Sequence, residues 1–255
     1  MVFALPISLS FIVFTVLFLS ISLAGLFITK EIGINRILCE DHNSILENFI
    51  TVVSVFVGII ITFIIMNSWE NFDKVKSDVI RESSEVLLLA RIIRTFDSFA
   101  ELKSLILEYL QHVINVEFPA FNSNKGVHEA ILQGDKIIKE IQIRMLSSTS
   151  PNYNTAVDII NKIISHRHDR MYNGINGINS LVWFVVIINS LLIIFMSWFL
   201  VCNSIAHYIL VGIVAVYISS VIFLSLVLSY PYRGTKGITS EPFKQALEEI
   251  MVLYG

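Results

Sequence analysis

Four long apolar runs divide this chain into spans and polar intervals. The runs cover about Ile7–Ile28, Phe49–Asn67, Ile178–Val201 and Ile205–Tyr230. Each is close to the ~20 apolar residues that a helix needs to cross a hydrocarbon core of about 30 Å. The pattern therefore predicts an all-α membrane protein with four transmembrane helices, of which the last two form a tight antiparallel hairpin.

The second run does not end at the membrane surface. Neither Pro nor Gly interrupts the chain from Asn67 to Phe96, and apolar residues recur there with a helical period. One long helix is therefore predicted to leave the bilayer and continue in water as an amphipathic helix. One of its faces changes from apolar, through an amide, to charged, and consists of Phe56, Ile60, Phe63, Asn67, Glu70 and Lys74. We refer to these six residues as the α2 face.

The interval 68–177 is predicted to be helical throughout. An apolar stripe begins at Phe99 and is expected to end at Pro119, a second helix covers about Val127–Met145, and Ser150-Pro151 marks the start of a third. Helical hairpins of this length offer little interior of their own. We therefore expect their apolar stripes to be covered by packing against one another or against neighbouring subunits.

The predicted domain organisation follows the spans. Residues 1–67 hold transmembrane helices 1 and 2, 68–177 form a helical cytoplasmic domain, 178–230 hold helices 3 and 4, and 231–255 form a cytoplasmic C-terminal segment. The loop between the first two spans carries only Lys30 and Arg36 as basic residues, whereas basic residues are frequent near the span ends on the other side. The positive-inside rule then places both termini and the interval 68–177 in the cytoplasm of a bacterial inner (plasma) membrane.

Composition narrows the function classes. The chain has 255 residues, of which 55% are hydrophobic and only 15% charged, as is typical of a membrane protein. A net charge of -3 provides no basic field for nucleic acid. No charged residue falls within the four spans, which argues against a proton relay or a coupled transporter.

The sequence contains no enzyme signature. It has no Gly-rich phosphate loop and no nucleophile elbow, so we expect neither an enzyme nor a cofactor. The cluster from His166 to Arg170 lacks the three- or four-residue histidine spacing of a metal site. It is interpreted as a solvated juxtamembrane face that contacts lipid phosphates or acidic residues of the insert. Carboxylates such as Asp78 and Glu82 are likewise expected on solvated helix faces.

The two cysteines, Cys39 and Cys202, fall in loops on the side opposite to the predicted cytoplasmic domain. If that side is oxidising, a disulfide within or between subunits is possible, and two free thiols are the alternative.

Three segments resemble the prokaryotic bestrophin-like membrane proteins, a family related to bestrophin channels. The first is Trp69-Glu70-Asn71-Phe72 with Arg81-Glu82, where the second helix leaves the membrane. The second is the turn Glu117-Phe118-Pro119, and the third is Tyr230-Pro231-Tyr232-Arg233-Gly234 followed by Glu241-Pro242-Phe243. The chain departs from the family at Ser229 and Tyr232, and Thr235-Lys236-Gly237 is unlike the acidic calcium clasp of bestrophin channels.

The resemblance implies a homo-oligomeric channel for small inorganic ions, embedded in membrane lipids, with the second span lining a central pore. Five subunits follow from the same analogy. In that arrangement Ile60 and Phe63 would form apolar rings that gate by dewetting, Phe56 would line the same face, Asn67 would form a polar exit, and Glu70 and Lys74 would form charge rings in the vestibule. Packing of this face against other helices is the alternative interpretation. The neighbouring row of Ile59, Thr62 and Met66 has the same spacing. A non-conducting scaffold or signalling protein that acts through the helical domain is the competing hypothesis.

Overall fold

The computed structural model describes residues 6–33, 41–175, 177–200 and 205–255. Within these ranges the regular structure is helical. The helices are α1 (Ile7–Glu31), α2 (Asp41–Ile92), α3 (Phe99–His112), α4 (Phe118–Ser123), α5 (Val127–Leu146), α6 (Tyr153–Ile175), α7 (Ser180–Trp198), α8 (Ile205–Ser229) and α9 (Glu241–Tyr254). A 3₁₀ turn (Ile93–Thr95) follows α2, and a π-helix (Val113–Glu117) joins α3 to α4.

The chain forms two compact units. The membrane unit comprises Met1–Glu70 and Ile178–Ser229, and the insert unit comprises Asn71–Gly177 and Tyr230–Gly255. Four helices in the described ranges are long and apolar enough to cross a bilayer, and they contain α1, α2, α7 and α8.

The helix bounds follow the sequence pattern closely, and the start of α2 is a clear difference. α2 begins at Asp41 rather than at Phe49, because the apolar run marks only the part of a helix that suits hydrocarbon. α6 ends at Ile175 and α7 begins at Ser180. Gly177 lies between the two helices, as expected of a residue that favours helix ends.

The core of the membrane unit is formed by one stripe of each of three helices. α2 contributes Val57, Ile61 and Ile64, α7 contributes Val186, Ile193 and Ile194, and α8 contributes Ile218 and Ile222. α1 packs against α8, where the ring of Phe11 meets that of Phe223 edge-on with centroids 5.4 Å apart. Gly212 on α8 leaves room for Leu19 of α1.

The insert unit has its own hydrophobic core. It contains Val79, Val86 and Leu89 of α2, Leu102, Ile106 and Leu110 of α3, Ile138 and Ile141 of α5, Ile160 and Ile163 of α6, and Phe243 and Ile250 of α9. The helices therefore cover these apolar stripes largely by packing against one another, which is one of the two alternatives expected from the sequence. The C-terminal helix supplies the missing cover, since Phe243 and Ile250 are fully buried and the Tyr254 hydroxyl donates to the Ala90 carbonyl at 2.7 Å.

Pro119 does not end the helix that begins at Phe99. The chain makes one π-helical turn over Val113–Glu117 and then continues as α4 to Ser123, with Pro119 in the first turn of α4. A proline is tolerated there because the first turn of a helix leaves backbone N–H groups without an intrahelical partner. The wider turn also changes the register, so that Glu117 is completely buried.

Candidate functional site

Within the membrane unit, the α2 face is exposed in the single chain. Phe56 is 64% exposed, Ile60 37% and Phe63 62%, and Asn67 and Glu70 are also exposed. A packed stripe of the same helix, Val57, Ile61 and Ile64, is at most 8% exposed and lies roughly a quarter turn away from this face. The helix therefore uses one stripe for its own subunit and leaves the other free.

The neighbouring row of α2 is exposed as well. Ile59 is 49% exposed, Met66 is 62% exposed, and Thr62 points its hydroxyl back to the Gly58 carbonyl at 2.8 Å. Both rows of α2 are therefore exposed in one chain. Lys74, in the insert unit, is also exposed. Cys39 and Cys202 lie outside the described residues.

A buried ion network in the insert unit was not expected. Its centre is Arg170 on α6, which is 0% exposed and binds Glu82 of α2 with two hydrogen bonds, from Nε to Oε2 at 2.6 Å and from Nη2 to Oε1 at 3.0 Å. Nη2 also donates to Glu117 Oε2 at 2.9 Å. One guanidinium thus links α2, the π-helix and α6.

Arg167, one helical turn before Arg170, completes the network. Its Nη1 lies 2.5 Å from Glu117 Oε1, and its Nε donates to Asp135 Oδ1 on α5 at 3.1 Å. Tyr109 of α3 donates its hydroxyl proton to Glu82 Oε1 at 2.5 Å and accepts from Arg167 Nη1 at 3.4 Å. The two fully buried carboxylates are therefore balanced by two arginines.

The surroundings of Arg170 strengthen this balance. The rings of Phe118, Phe121 and Phe243 lie 5.5–5.8 Å from the Arg170 Cζ, within the range of cation–π attraction. Burial alone would lower the pKa of Arg170, but Glu82 and Glu117 raise it well above its usual value, so the guanidinium stays charged. Burial, and next the charge of Glu82, raise the pKa of Tyr109, which stays a hydrogen-bond donor.

Two sequence interpretations are corrected by this network. Glu82 and Asp78, expected on solvated faces, are 0% and 5% exposed. Arg167 and Arg170, expected in a solvated cluster, are 2% and 0% exposed. The charge of these residues suggests exposure to solvent, whereas their helical register places them in the core.

The register does contain the signal. Glu82 continues the stripe of Val75, Val79 and Val86, and Glu117 continues the stripe of Ile106, Leu110 and Val113. Arg167 and Arg170 continue the stripe of Ala156, Ile160 and Ile163. A charge at a core position of an amphipathic helix needs an opposite charge on another helix, because an isolated buried ion is very costly.

Glu82 and Glu117 are engaged by arginine and tyrosine side chains. Within the described ranges, no group of three or more His, Cys, Asp or Glu side chains is arranged to hold one. His112 is held by the Ala130 carbonyl, 2.8 Å from its Nε2, and its Nε2 lies 3.7 Å from Glu117 Oε1. The carboxylates are used by arginine and tyrosine, so the network ties helices together.

Residues 11–243 match the Bestrophin-like domain. The chain belongs to the bestrophin-like family. The resemblance drawn from the three sequence segments is thereby confirmed, and the chain is a multi-pass membrane protein of a family whose members are generally not enzymes. A search of curated proteins found no match.

Solved structures share the fold of this bestrophin-like protein. One is a bacterial bestrophin homologue from Klebsiella pneumoniae that carries a point mutation; it is 11% identical, with a TM-score of 0.66 over 96% of this chain and 99% of that chain. Another, described as a membrane protein with a glycine-to-alanine mutation, is 13% identical, with a TM-score of 0.57 over 96% of each chain. The all-α fold class with four long apolar helices is therefore confirmed.

Proposed function

We propose that this bestrophin-like protein is a homo-oligomeric channel for small ions, with α2 lining a central pore. The observation that carries the proposal is the division of α2 in the membrane unit into a packed stripe and a free stripe. α2 packs on its own subunit with one stripe and presents aromatic, aliphatic and then polar residues on another. Such a helix is suited to surround an axis together with copies of itself.

The order of residues on the α2 face suits ion passage. Rings of Ile60 and Phe63 would make an apolar constriction, which an ion crosses only by shedding water without replacement ligands. Asn67 would then offer amide dipoles, and Glu70 a ring of carboxylates. The constriction would serve as the gate, and Phe56 would line the approach to it.

Oligomerisation follows from the same face. Soluble and membrane homo-oligomers are usually closed and symmetric, so that one patch of every subunit meets the same axis. Five subunits are favoured by the relation to bestrophin channels. The termini and the domain 68–177 are proposed to lie in the cytoplasm of the inner membrane, because the basic residues near the span ends are concentrated on that side.

The channel proposal predicts that Phe63→Ala raises ion flux several-fold. Shortening the ring removes the largest apolar side chain from the constriction and lets water fill it. Flux is measured with purified protein in liposomes and in planar bilayers. Met66→Ala is the matched control, since Met66 is equally exposed but belongs to the neighbouring row.

Two outcomes would change this assignment. A change with Met66→Ala and none with Phe63→Ala would move the pore to the row of Ile59, Thr62 and Met66. Absence of flux for any common ion with the native protein, across voltage and pH, would favour the scaffold hypothesis.

The charges of the α2 face predict opposite shifts in ion selectivity. Glu70→Gln removes negative charge from the pore path and should shift the reversal potential in a salt gradient towards that of anions, whereas Lys74→Gln should shift it towards that of cations. Glu129→Gln, an exposed carboxylate on α5, is the control and should leave the reversal potential unchanged. Shifts of the same sign for Glu70→Gln and Lys74→Gln would contradict the placement of these residues.

A further inference from the structure

A second pair of titratable side chains joins α2 to α6 within the insert unit. Asp78 of α2 and His166 of α6 face each other, with Asp78 Oδ1 3.5 Å from His166 Nδ1. Asp78 is 5% exposed. Asp78 Oδ2 and His166 Nδ1 are both buried without a hydrogen-bond partner among the described residues. Buried polar atoms normally have a hydrogen-bond partner, and this contact between Asp78 and His166 does not provide one.

The charges around the pair leave it short of one positive charge. The groups that act on the Asp78 carboxyl are Asp169 and His166 of α6 and Lys74 of α2. Farther along the same contact, Glu85 of α2 and Lys162 of α6 form their own pair at 3.9 Å. With His166 neutral, the two aspartates therefore face a single lysine.

We propose that Asp78 and His166 form a proton-binding site that ties α6 to α2. A proton from solvent reaches the imidazole, whose side chain is 20% exposed. Nδ1 then donates to the Asp78 carboxylate, and the imidazolium balances the charge that Asp169 adds. The proton balances the buried carboxylate charge and gives the unpartnered Nδ1 an acceptor in Asp78 Oδ1.

The direction of the pH dependence follows from the carboxylate. Burial, and next the charge of Asp169, raise the pKa of Asp78, against the opposing effects of His166 and Lys74. A group with a raised pKa in the folded state contributes stability at low pH and loses it as the pH rises. The contact between α2 and α6 is therefore expected to be tighter in acid.

Hydrogen–deuterium exchange of the full-length protein tests the site. We expect the protection factors of α6 amides to be about three- to fivefold higher at about pH 5 than at about pH 8, the range over which histidines change charge. His166→Gln should abolish most of this difference, because glutamine cannot take up the proton and only the response of the Asp78 carboxyl remains. His128→Gln, an exposed histidine on α5, should keep it.

Asp78→Asn is a second, independent test. The amide has the same shape as the carboxylate but lacks the charge that holds the imidazolium. It should also abolish the difference. A native protein whose α6 protection does not depend on pH, or a His166→Gln protein that keeps the full response, would overturn the proposal. Exchange needs no ion flux, so this result is separate from the outcome of the channel experiments.

Discussion

Arg170→Met is expected to lower the free energy of unfolding by about 3–5 kcal/mol, the cost of removing one partner from a buried ion pair. The substitution keeps most of the side-chain volume among Phe118, Phe121 and Phe243 but removes the charge. Glu82 is then left in a site that is 0% exposed, with the Tyr109 hydroxyl as its remaining donor. Glu117 is affected less, because Arg167 stays beside it.

Thermal unfolding of the detergent-solubilised protein, followed by circular dichroism, measures this loss. Arg144→Met is the matched control: Arg144 lies on α5 in the same unit and pairs with Glu101 at 3.0 Å and Glu140 at 3.3 Å, but its side chain is 46% exposed. Exposed pairs contribute roughly 0–1 kcal/mol. Equal losses for Arg170→Met and Arg144→Met would show that the buried network does not hold the insert unit together.

The double variant Arg170→Met with Glu82→Gln separates charge from packing. It removes one charge of each sign and leaves Glu117 opposite Arg167, while the glutamine oxygen can still accept from Tyr109. If the loss in Arg170→Met comes from the stranded carboxylate, the double variant should regain a large part of it. No recovery would assign the loss to packing among the aromatic rings.

The transmembrane helices could be predicted because the hydrocarbon core requires each spanning helix to have a certain length and an apolar surface, and both requirements are visible in the sequence. α1, α7 and α8 lie close to the expected bounds for this reason. The first residues of α2 were missed because a helix beyond the hydrocarbon needs no apolar run. The π-helical turn before Pro119 was missed because proline was taken as a stop, and proline at a first turn is no obstacle.

Only part of the buried network can be predicted from the sequence. The core register of Glu82, Glu117, Arg167 and Arg170 follows from the spacing of their apolar neighbours. Which carboxylate meets which arginine does not, because Glu82 and Arg170 are separated by 88 residues and are brought together by tertiary packing. The same limit applies to the proposed pore lining, because the α2 face and the row of Ile59, Thr62 and Met66 are both exposed in one chain.

Gly134→Ala is expected to destabilise the protein by about 1–3 kcal/mol, the usual cost of inserting a methyl group into a packed core. This loss of stability is opposite to the usual effect of a Gly→Ala substitution, because alanine in the middle of a helix is favoured over glycine by roughly 0.5–1 kcal/mol. A Cβ at Gly134 would collide with Arg167 Nη2 and Glu117 Oε1. The absence of a side chain on α5 is what lets these two groups meet.

Gly58→Ala is the control, because Gly58 also lies inside a long helix but a Cβ there has no atom within 4 Å. It should leave the unfolding temperature unchanged or raise it slightly. Gly134→Ala and Arg170→Met act on the same network, so their combined loss should be smaller than the sum of the two single losses. Strict additivity would mean that Gly134 affects stability by a route other than the ion pair of Arg167 and Glu117.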